Sequence, residues 1–291
     1  MGQTSRELFD AGRLNDAIEA LGAELRNNPA DQQRRIFLFE MLCFAGNWDR
    51  ADKQLDILAG QDKDKRLGAL LYRAALNADR TRHEMFQKLA AGSAGGSAAA
   101  GGLAAAGGLA AGSAGGLAAA GGLAAAGGLA AAGGLAAESA PMAAESKAPP
   151  TQAGGTLNGQ EFESIEDSDP RIGARLEVLA GDSYMWIPLE HIALVEMQPP
   201  KRLRDLLWAP AVIHTGPAFQ GSGLGRVLLP VLSPFSWKNA DDAVRLGRKT
   251  VWEEEPGGGE IPFGQKMLLV DGEEVPLLEV RKLEFRQPAA G

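Results

Sequence analysis

Small and apolar residues recur at a fixed spacing over the first sixty positions of the chain. Residues 11–17 (AGRLNDA) return 34 positions later as residues 45–51 (AGNWDRA), and Leu21 is matched by Leu55. A period of 34 is typical of tetratricopeptide repeats, in which each repeat is a helical hairpin. The Ala-Gly pair would end the first helix of each hairpin, and Ala17 or Ala51 would let the second helix approach closely. The pattern therefore predicts two helical hairpins.

A third helical unit is expected after these hairpins, because one repeat cannot bury its own apolar face. Residues 67–76 carry apolar side chains at helical spacing and supply this unit. Pro29 marks the end of the preceding helix, since proline disfavours the helical conformation for the residue before it. Ordinary amphipathic helices that meet at glycine turns remain the alternative. Stacks of helical hairpins usually bind a peptide or a helix, so the pattern favours an adaptor function.

Tetratricopeptide geometry would place one set of residues along the groove of such a stack. An amphipathic partner helix would lay its apolar face along this groove. The alternative is that the apolar members of the set are simply core residues. The predicted groove residues are Gln33, Ile36, Glu40, Cys43, Phe44, Leu67, Leu70 and Asn77.

A low-complexity segment follows the helices. Between Lys88 and Glu138 the chain has no charged residue, and units of the type Gly-Gly-Leu-Ala-Ala-Ala recur. Two glycines in each unit would cost a helix about 2 kcal/mol relative to alanine. We therefore expect residues 91–154 to be a disordered linker that lets the two ordered parts move independently. A transmembrane helix within residues 91–137 is the alternative, since an uncharged run of this length could span a bilayer.

The remainder of the chain has the composition of a globular, mainly β domain. Its best hairpin signal is the Asp271-Gly272 pair between apolar runs at 266–270 and 275–285. The other predicted elements are helices at 171–180, closed by Gly181, and at 240–249, strands at Ser183–Pro188 and 191–197, and apolar runs of strand length at 206–214 and 226–232. The sequence thus predicts an α+β multidomain protein. Its expected parts are a helical repeat domain (1–90), a linker (91–154), a β-rich domain (155–286) and a tail (287–291).

Charge and composition narrow the function classes. The 37 acidic residues outnumber the 29 basic ones, and the excess lies mainly after residue 154. Nucleic-acid binding needs clustered positive charge and is not expected. The only cysteine, Cys43, cannot form an intramolecular disulfide and is expected to be buried. The N-terminus lacks the apolar region of a secretion signal, so we expect a cytoplasmic protein without membrane insertion.

Catalytic and metal-binding motifs are weak. The three histidines have no metal-ligand spacing, and no serine lies in a nucleophile elbow. Neither a metal nor a cofactor is therefore expected. The enzyme alternative rests on a C-terminal pocket around Asp167, Asp169 and His191.

Several sequence blocks of the β-rich part resemble one known family. They lie at residues 169–173, 184–190, 203–211, 242–252 and 264–281, and the helical region up to Phe86 fits the same order. The chain resembles the ImpE family of bacterial type VI secretion accessory proteins, also called SciE or TagJ. The resemblance implies a cytoplasmic, non-enzymatic adaptor that binds the small subunit of the contractile sheath. It further implies a role in presenting the sheath to the AAA+ ATPase that disassembles it.

Overall fold

The structure is a computed structural model that describes residues 3–60, 63–93, 154–216, 224–255 and 259–286. Within helical residues 63–93, the side chains at 63–65, 67 and 91–93 are not described. The linker expected at 91–154 and the tail expected at 287–291 lie almost wholly outside the described ranges, as does the membrane helix considered within 91–137. No helix in those ranges is both long and apolar enough to cross a membrane.

Five helices make up the N-terminal region, and both copies of the repeated sequence form turns between them. Gly12 and Gly46 end the first and third helices with φ values of 78° and 67°, a conformation that glycine adopts without steric cost. The predicted hairpins and the third helical unit are therefore confirmed as helices. The bounds are α1 (Ser5–Asp10), α2 (Leu14–Asn27), α3 (Gln32–Phe44), α4 (Trp48–Ala59) and α5 (Lys63–Ser93).

The C-terminal region is mainly β, and its strands form three antiparallel sheets. The largest has eight strands in the order β2-β1-β13-β6-β7-β8-β4-β5, and the smaller sheets are β12-β11-β3 and β10-β9. The strands are β1 (Gly155–Leu157), β2 (Gln160–Phe162), β3 (Ile165–Asp167), β4 (Arg175–Ala180), β5 (Ser183–Pro188), β6 (Ile192–Met197), β7 (Trp208–Thr215), β8 (Gly225–Pro230), β9 (Val251–Glu254), β10 (Glu260–Phe263), β11 (Met267–Val270), β12 (Glu273–Pro276) and β13 (Lys282–Phe285). The α+β fold class and the strands predicted at 183–188 and 191–197 are confirmed.

The helix predicted at 171–180 is wrong, because its second half is strand β4. Leu176 and Val178 belong to one hydrophobic core and Leu179 to another, so both faces of this strand are covered. Such a strand loses the alternation of apolar and polar residues that distinguishes a strand from a buried helix. Gly181, with a φ of 63°, belongs to the tight turn between β4 and β5 and does not close a helix.

Two other predicted elements are shorter than expected. Only Asp242–Arg245 of the helix predicted at 240–249 is α-helical (α6), and Gly247 follows it with a φ of 65°. The hairpin turn at Asp271-Gly272 is confirmed, but the returning strand β12 ends at Pro276. A 3-10 helix at Leu277–Glu279 then carries the chain into β13 of the large sheet.

The helices and the large sheet share one hydrophobic core. It joins residues of α1 to α5, such as Phe39 and Phe86, to Leu179, Tyr184 and Trp208 of the sheet. A second core lies on the other face of the sheet and includes Val178 and Leu268 of β11. The expectation that the two ordered parts move independently is therefore wrong, because separating them would expose a shared apolar interior to water.

Candidate functional site

The contact surface between helices α1 to α5 and the C-terminal region, which we call the seam, runs along several of the helices. From the C-terminal region, Arg248 donates hydrogen bonds to the carbonyl oxygens of Phe9 and Asp10 at the end of α1. Phe39 of α3 packs against Trp208, with ring centroids 6.5 Å apart. Further along, α5 packs against β4 and β5. The side of the helices on which a groove was predicted is thus partly covered by the chain's own β region.

One end of the seam holds a buried ion pair between α5 and β4. Arg82 lies on the buried face of α5, and Glu177 lies on the face of β4 that is turned to the helices. Arg82 donates two hydrogen bonds to the Glu177 carboxylate, from Nε at 2.7 Å and from Nη2 at 2.9 Å. Arg82 Nη2 also lies 3.0 Å from the carbonyl oxygen of Leu232. This bidentate geometry is the strongest form of an arginine–carboxylate contact.

Further polar groups complete this Glu177 end of the seam. The Tyr184 hydroxyl donates to Glu177 Oε1 at 2.6 Å, and Lys266 contacts both Glu177 and Asp167. Burial would raise the pKa of Glu177, but Arg82 and Lys266 hold it well below its usual value. Burial also raises the pKa of Asp167 to about 6, against the attraction of Lys266. Two cations and two carboxylates thus share one fully buried, hydrogen-bonded cluster.

The two repeated turns are also fixed by the C-terminal region. The backbone N–H of Leu14, at the start of α2, donates to Asp242 Oδ2 at 2.8 Å. Asp242 therefore caps a helix whose own N-cap residue, Arg13, provides no side-chain cap. At the second turn, the ring of Trp237 lies so close to Gly46 that an added Cβ would be 2.5 Å from it. Equivalent turns of the repeat thus contact the β region in different ways.

The other end of the seam joins α3 and α5 to the 3-10 helix at Leu203–Leu206. Glu40 of α3 faces Arg204, with 3.9 Å between Oε1 and Nη1, and the guanidinium of Arg204 lies 4.6 Å from the ring centroid of Tyr72 on α5. All three side chains are more than nine-tenths buried. Tyr72 Oη and Arg204 Nη2 make no hydrogen bond within the described ranges of the chain. This Glu40 end is therefore buried but incompletely paired.

The structure divides the predicted groove residues between the seam and the surface. Glu40, Cys43 and Phe44 are buried, which confirms the expected burial of Cys43. Ile36 is half-buried against the shared core. Gln33 and Asn77 are exposed, Leu70 is 53% exposed, and the side chain of Leu67 is not described. Their role in protein binding stays a prediction.

A small cavity lies inside the seam and brings Cys43 together with Asp79 and His83. Its volume is ≈ 20 Å³, which is room for about one water molecule. Burial raises the pKa of the Cys43 thiol well above its usual value and lowers the pKa of His83. A protonated thiol beside a neutral imidazole in so small a space is not an activated nucleophile.

The residues of the enzyme alternative have structural partners. Asp167 accepts a hydrogen bond from Lys266 at 2.5 Å, and Asp169 accepts two from the Arg171 side chain. His191 lies in a 3-10 helix between β5 and β6. In the part of the chain that the structure describes, no group of His, Cys, Asp and Glu could hold a metal ion.

Sequence reasoning missed the residues that hold the seam together. Arg82 and Glu177 are 95 positions apart, and neither belongs to a recognisable motif. One available signal was Glu177 itself, a carboxylate inside the apolar run 176–179. A charge in the middle of a buried element implies a partner of opposite charge.

Comparisons with known proteins match the C-terminal region to a protein family and nearly the whole chain to individual proteins. Residues 159–284 match the ImpE protein family. The chain is 32% identical over 282 residues to the type VI secretion system accessory component TagJ of Pseudomonas aeruginosa, covering 97% of this chain and 90% of TagJ. Its fold is similar to the crystal structure of protein VPA1032 from Vibrio parahaemolyticus, with a TM-score of 0.71, 18% identity and 98% of each chain covered.

Proposed function

Because the chain belongs to the ImpE protein family, we propose that it is a non-enzymatic accessory protein of a bacterial type VI secretion system. The observation that carries this proposal is the 32% identity to TagJ over 97% of the chain, across both the helices and the strands. A relative that matches over its full length supports a shared role more strongly than a shared domain does.

The proposed partner is the small subunit of the contractile sheath, bound in the cytoplasm and presented to the AAA+ ATPase that disassembles the sheath. Stacked helical hairpins support this part of the proposal, because such stacks commonly bind a helix or a peptide of another protein.

The proposed contact surface is the exposed part of the predicted groove. Gln33 and Ile36 lie on the first half of α3, and Leu70 and Asn77 lie on α5. Ile36 and Leu70 are 34 positions apart and so are equivalent in successive repeats. Leu70 is one of two large apolar side chains that are strongly exposed in the described ranges. An exposed apolar residue at a repeat-equivalent position suits contact with an apolar face of a partner.

The experiment is a titration of the full chain into the fluorescently labelled small sheath subunit of the same bacterium. Leu70→Glu should weaken binding at least tenfold, about 1.4 kcal/mol, because a carboxylate would be buried against an apolar partner face. The control is Gln87→Glu, which adds the same charge at an exposed position of the same helix. If the wild-type chain does not bind the small sheath subunit, the proposed partner is wrong. Equal binding by the wild type and by Leu70→Glu would move the contact away from the predicted groove.

A further inference from the structure

The Glu40 end of the seam buries several polar groups that have no hydrogen-bond partner among the described residues. Besides Tyr72 Oη and Arg204 Nη2, the buried Nη1 of Arg202 makes no hydrogen bond among the described residues. Burying a polar group without a partner forfeits its hydration and gains no compensating bond. This end of the seam is therefore the one that costs least to open.

The pairing between Glu40 and Arg204 is also loose. Their closest charged atoms are 3.9 Å apart, which is too long for a hydrogen bond. The titratable and charged groups that face Glu40 are Arg204 and Asp205 from the 3-10 helix, Tyr72 from α5 and Cys43 from the next turn of α3. Among these groups, the cation facing Glu40 is Arg204, and its guanidinium stays 3.9 Å from the carboxylate, so the ionised form of Glu40 is poorly compensated.

We propose that the seam opens at the 3-10 helix Leu203–Leu206, and that a proton on Glu40 keeps this end closed. When Glu40 is protonated, it carries no charge, so it can be buried without an ion pair. When Glu40 ionises, a carboxylate is left in the seam with a distant guanidinium, and exposing it to water becomes favourable. The change is confined to this end, because the hydrogen-bonded cluster around Glu177 holds α5 against β4.

The direction of the pH effect follows from the burial of Glu40. Burial raises the pKa of Glu40 to about 7, and the attraction of Arg204 only partly offsets this. In an open seam the carboxyl meets water and returns towards its ordinary value of 4.5. Between these two values the closed form holds a proton that the open form has lost. The closed form is thus favoured at low pH, and its advantage declines as the pH rises through 7.

Opening would uncover part of the predicted groove. Glu40, Cys43 and Phe44 lie along one side of α3, and the C-terminal region covers them in the closed form. The proton on Glu40 would then regulate how much of the groove a partner helix can reach. This consequence rests on the proposed function, whereas the opening itself does not.

Hydrogen exchange of the full chain at pH 6 and pH 8 tests the opening. The reporters are the amides of Asp205 and Leu207, whose hydrogen bonds to Arg202 and Arg204 hold the 3-10 helix. After correction for intrinsic exchange rates, their protection should fall about tenfold from pH 6 to pH 8. Amides of β4 should keep their protection. The Glu40→Gln variant, which is nearly isosteric, should abolish the fall, and Glu84→Gln at an exposed site of α5 should retain it.

Either of two results would overturn the proposal: constant protection in the wild type, or an unchanged fall in Glu40→Gln. Titration of the small sheath subunit at the same two pH values separates this proposal from the proposed function. A pH-dependent loss of protection without any binding would leave the opening standing and remove the partner. If the chain binds the subunit while the 3-10 helix amides keep the same protection at both pH values, the partner would stand and the opening would be removed.

Discussion

Two arginine–glutamate pairs lie at opposite ends of the same seam, and they differ in how well they are satisfied. Arg82 binds Glu177 through two hydrogen bonds, and Tyr184 and Lys266 add further contacts. The guanidinium of Arg204 approaches the carboxylate of Glu40 only to 3.9 Å. Both pairs are buried, so burial alone does not decide whether a pair stabilises the fold. The number of hydrogen bonds that reach the carboxylate decides it.

The two ends also respond to pH in opposite directions. Arg82 and Lys266 depress the pKa of Glu177, so its contribution to stability is present above the ordinary value of 4.5 and is lost as the pH falls further. Burial raises the pKa of Glu40, so the stability of its end is lost as the pH rises through about 7. The seam should therefore be tightest in mildly acidic solution.

The largest effect is expected from Glu177→Gln. This change leaves Lys266 paired with Asp167 and leaves buried Arg82 with only the Asp79 carboxylate, 3.7 Å away. Breaking a buried pair in this way costs about 3–5 kcal/mol. Denaturant unfolding of the full chain at pH 7 measures the loss. Glu84→Gln, at an exposed position of α5, should change the free energy of unfolding by less than about 0.5 kcal/mol. A Glu177→Gln variant as stable as this control would remove the distinction between the two ends.

A smaller loss of stability is expected when alanine replaces the glycine of either repeated turn, and the two positions form a matched pair. Gly12→Ala and Gly46→Ala both place a side chain at a positive φ, which costs about 1–2 kcal/mol. At Gly46 the new Cβ would also meet the ring of Trp237, which adds about 1–3 kcal/mol of overpacking. At Gly12 the nearest atom, Arg248 Nη1, would be 3.6 Å away. The melting temperature of Gly46→Ala should therefore be lower than that of Gly12→Ala. The opposite order would contradict the contact with Trp237.

The next largest loss of stability is expected when the cap on α2 is removed. Asp242→Ala removes the acceptor for the Leu14 amide and should cost about 1 kcal/mol. Asp242→Asn keeps an oxygen in place and should recover most of this loss. Denaturant midpoints of the two variants measure the difference. If both variants match the wild type, the C-terminal region does not cap α2.

At pH 5, the smallest effect is expected at the Glu40 end. Glu40→Gln should leave the stability at pH 5 nearly unchanged, within about 0.5 kcal/mol, because the buried carboxyl is then protonated. At pH 8 the variant should be more stable than the wild type, since it has no ionised group to bury. Melting temperatures at the two pH values measure this. A variant that is less stable at pH 8 would mean that Glu40 and Arg204 attract each other more than burial costs.

Local patterns in the sequence predicted the local structure well. The Ala-Gly pairs marked the helical turns at Gly12 and Gly46, and the Asp271-Gly272 pair marked a hairpin. Strand β4 was missed because its residues are covered on both faces, by α5 on one side and by the second core on the other. Its sequence therefore lacks the alternation of apolar and polar residues that would have predicted a strand.

The candidate site was much less predictable. The repeat period predicted a groove on one side of the helices, but it could not indicate that Glu40 and Phe44 are covered by the same chain. That fact depends on Arg82 meeting Glu177 and on α3 meeting Trp208, contacts that join distant parts of the sequence. Gln33, Leu70 and Asn77 remain exposed because the β region does not extend over them.

The most direct test of the account is whether the helices and the sheet unfold together. Helix content can be followed by far-ultraviolet circular dichroism, and the sheet by the fluorescence of Trp186, Trp208 and Trp252. Trp48→Phe and Trp237→Phe changes first remove the tryptophan of α4 and the C-terminal tryptophan that packs against it. The shared core predicts that both signals change in one transition with the same denaturant midpoint. Two separate midpoints would show that the seam does not unite the two regions and would contradict the account.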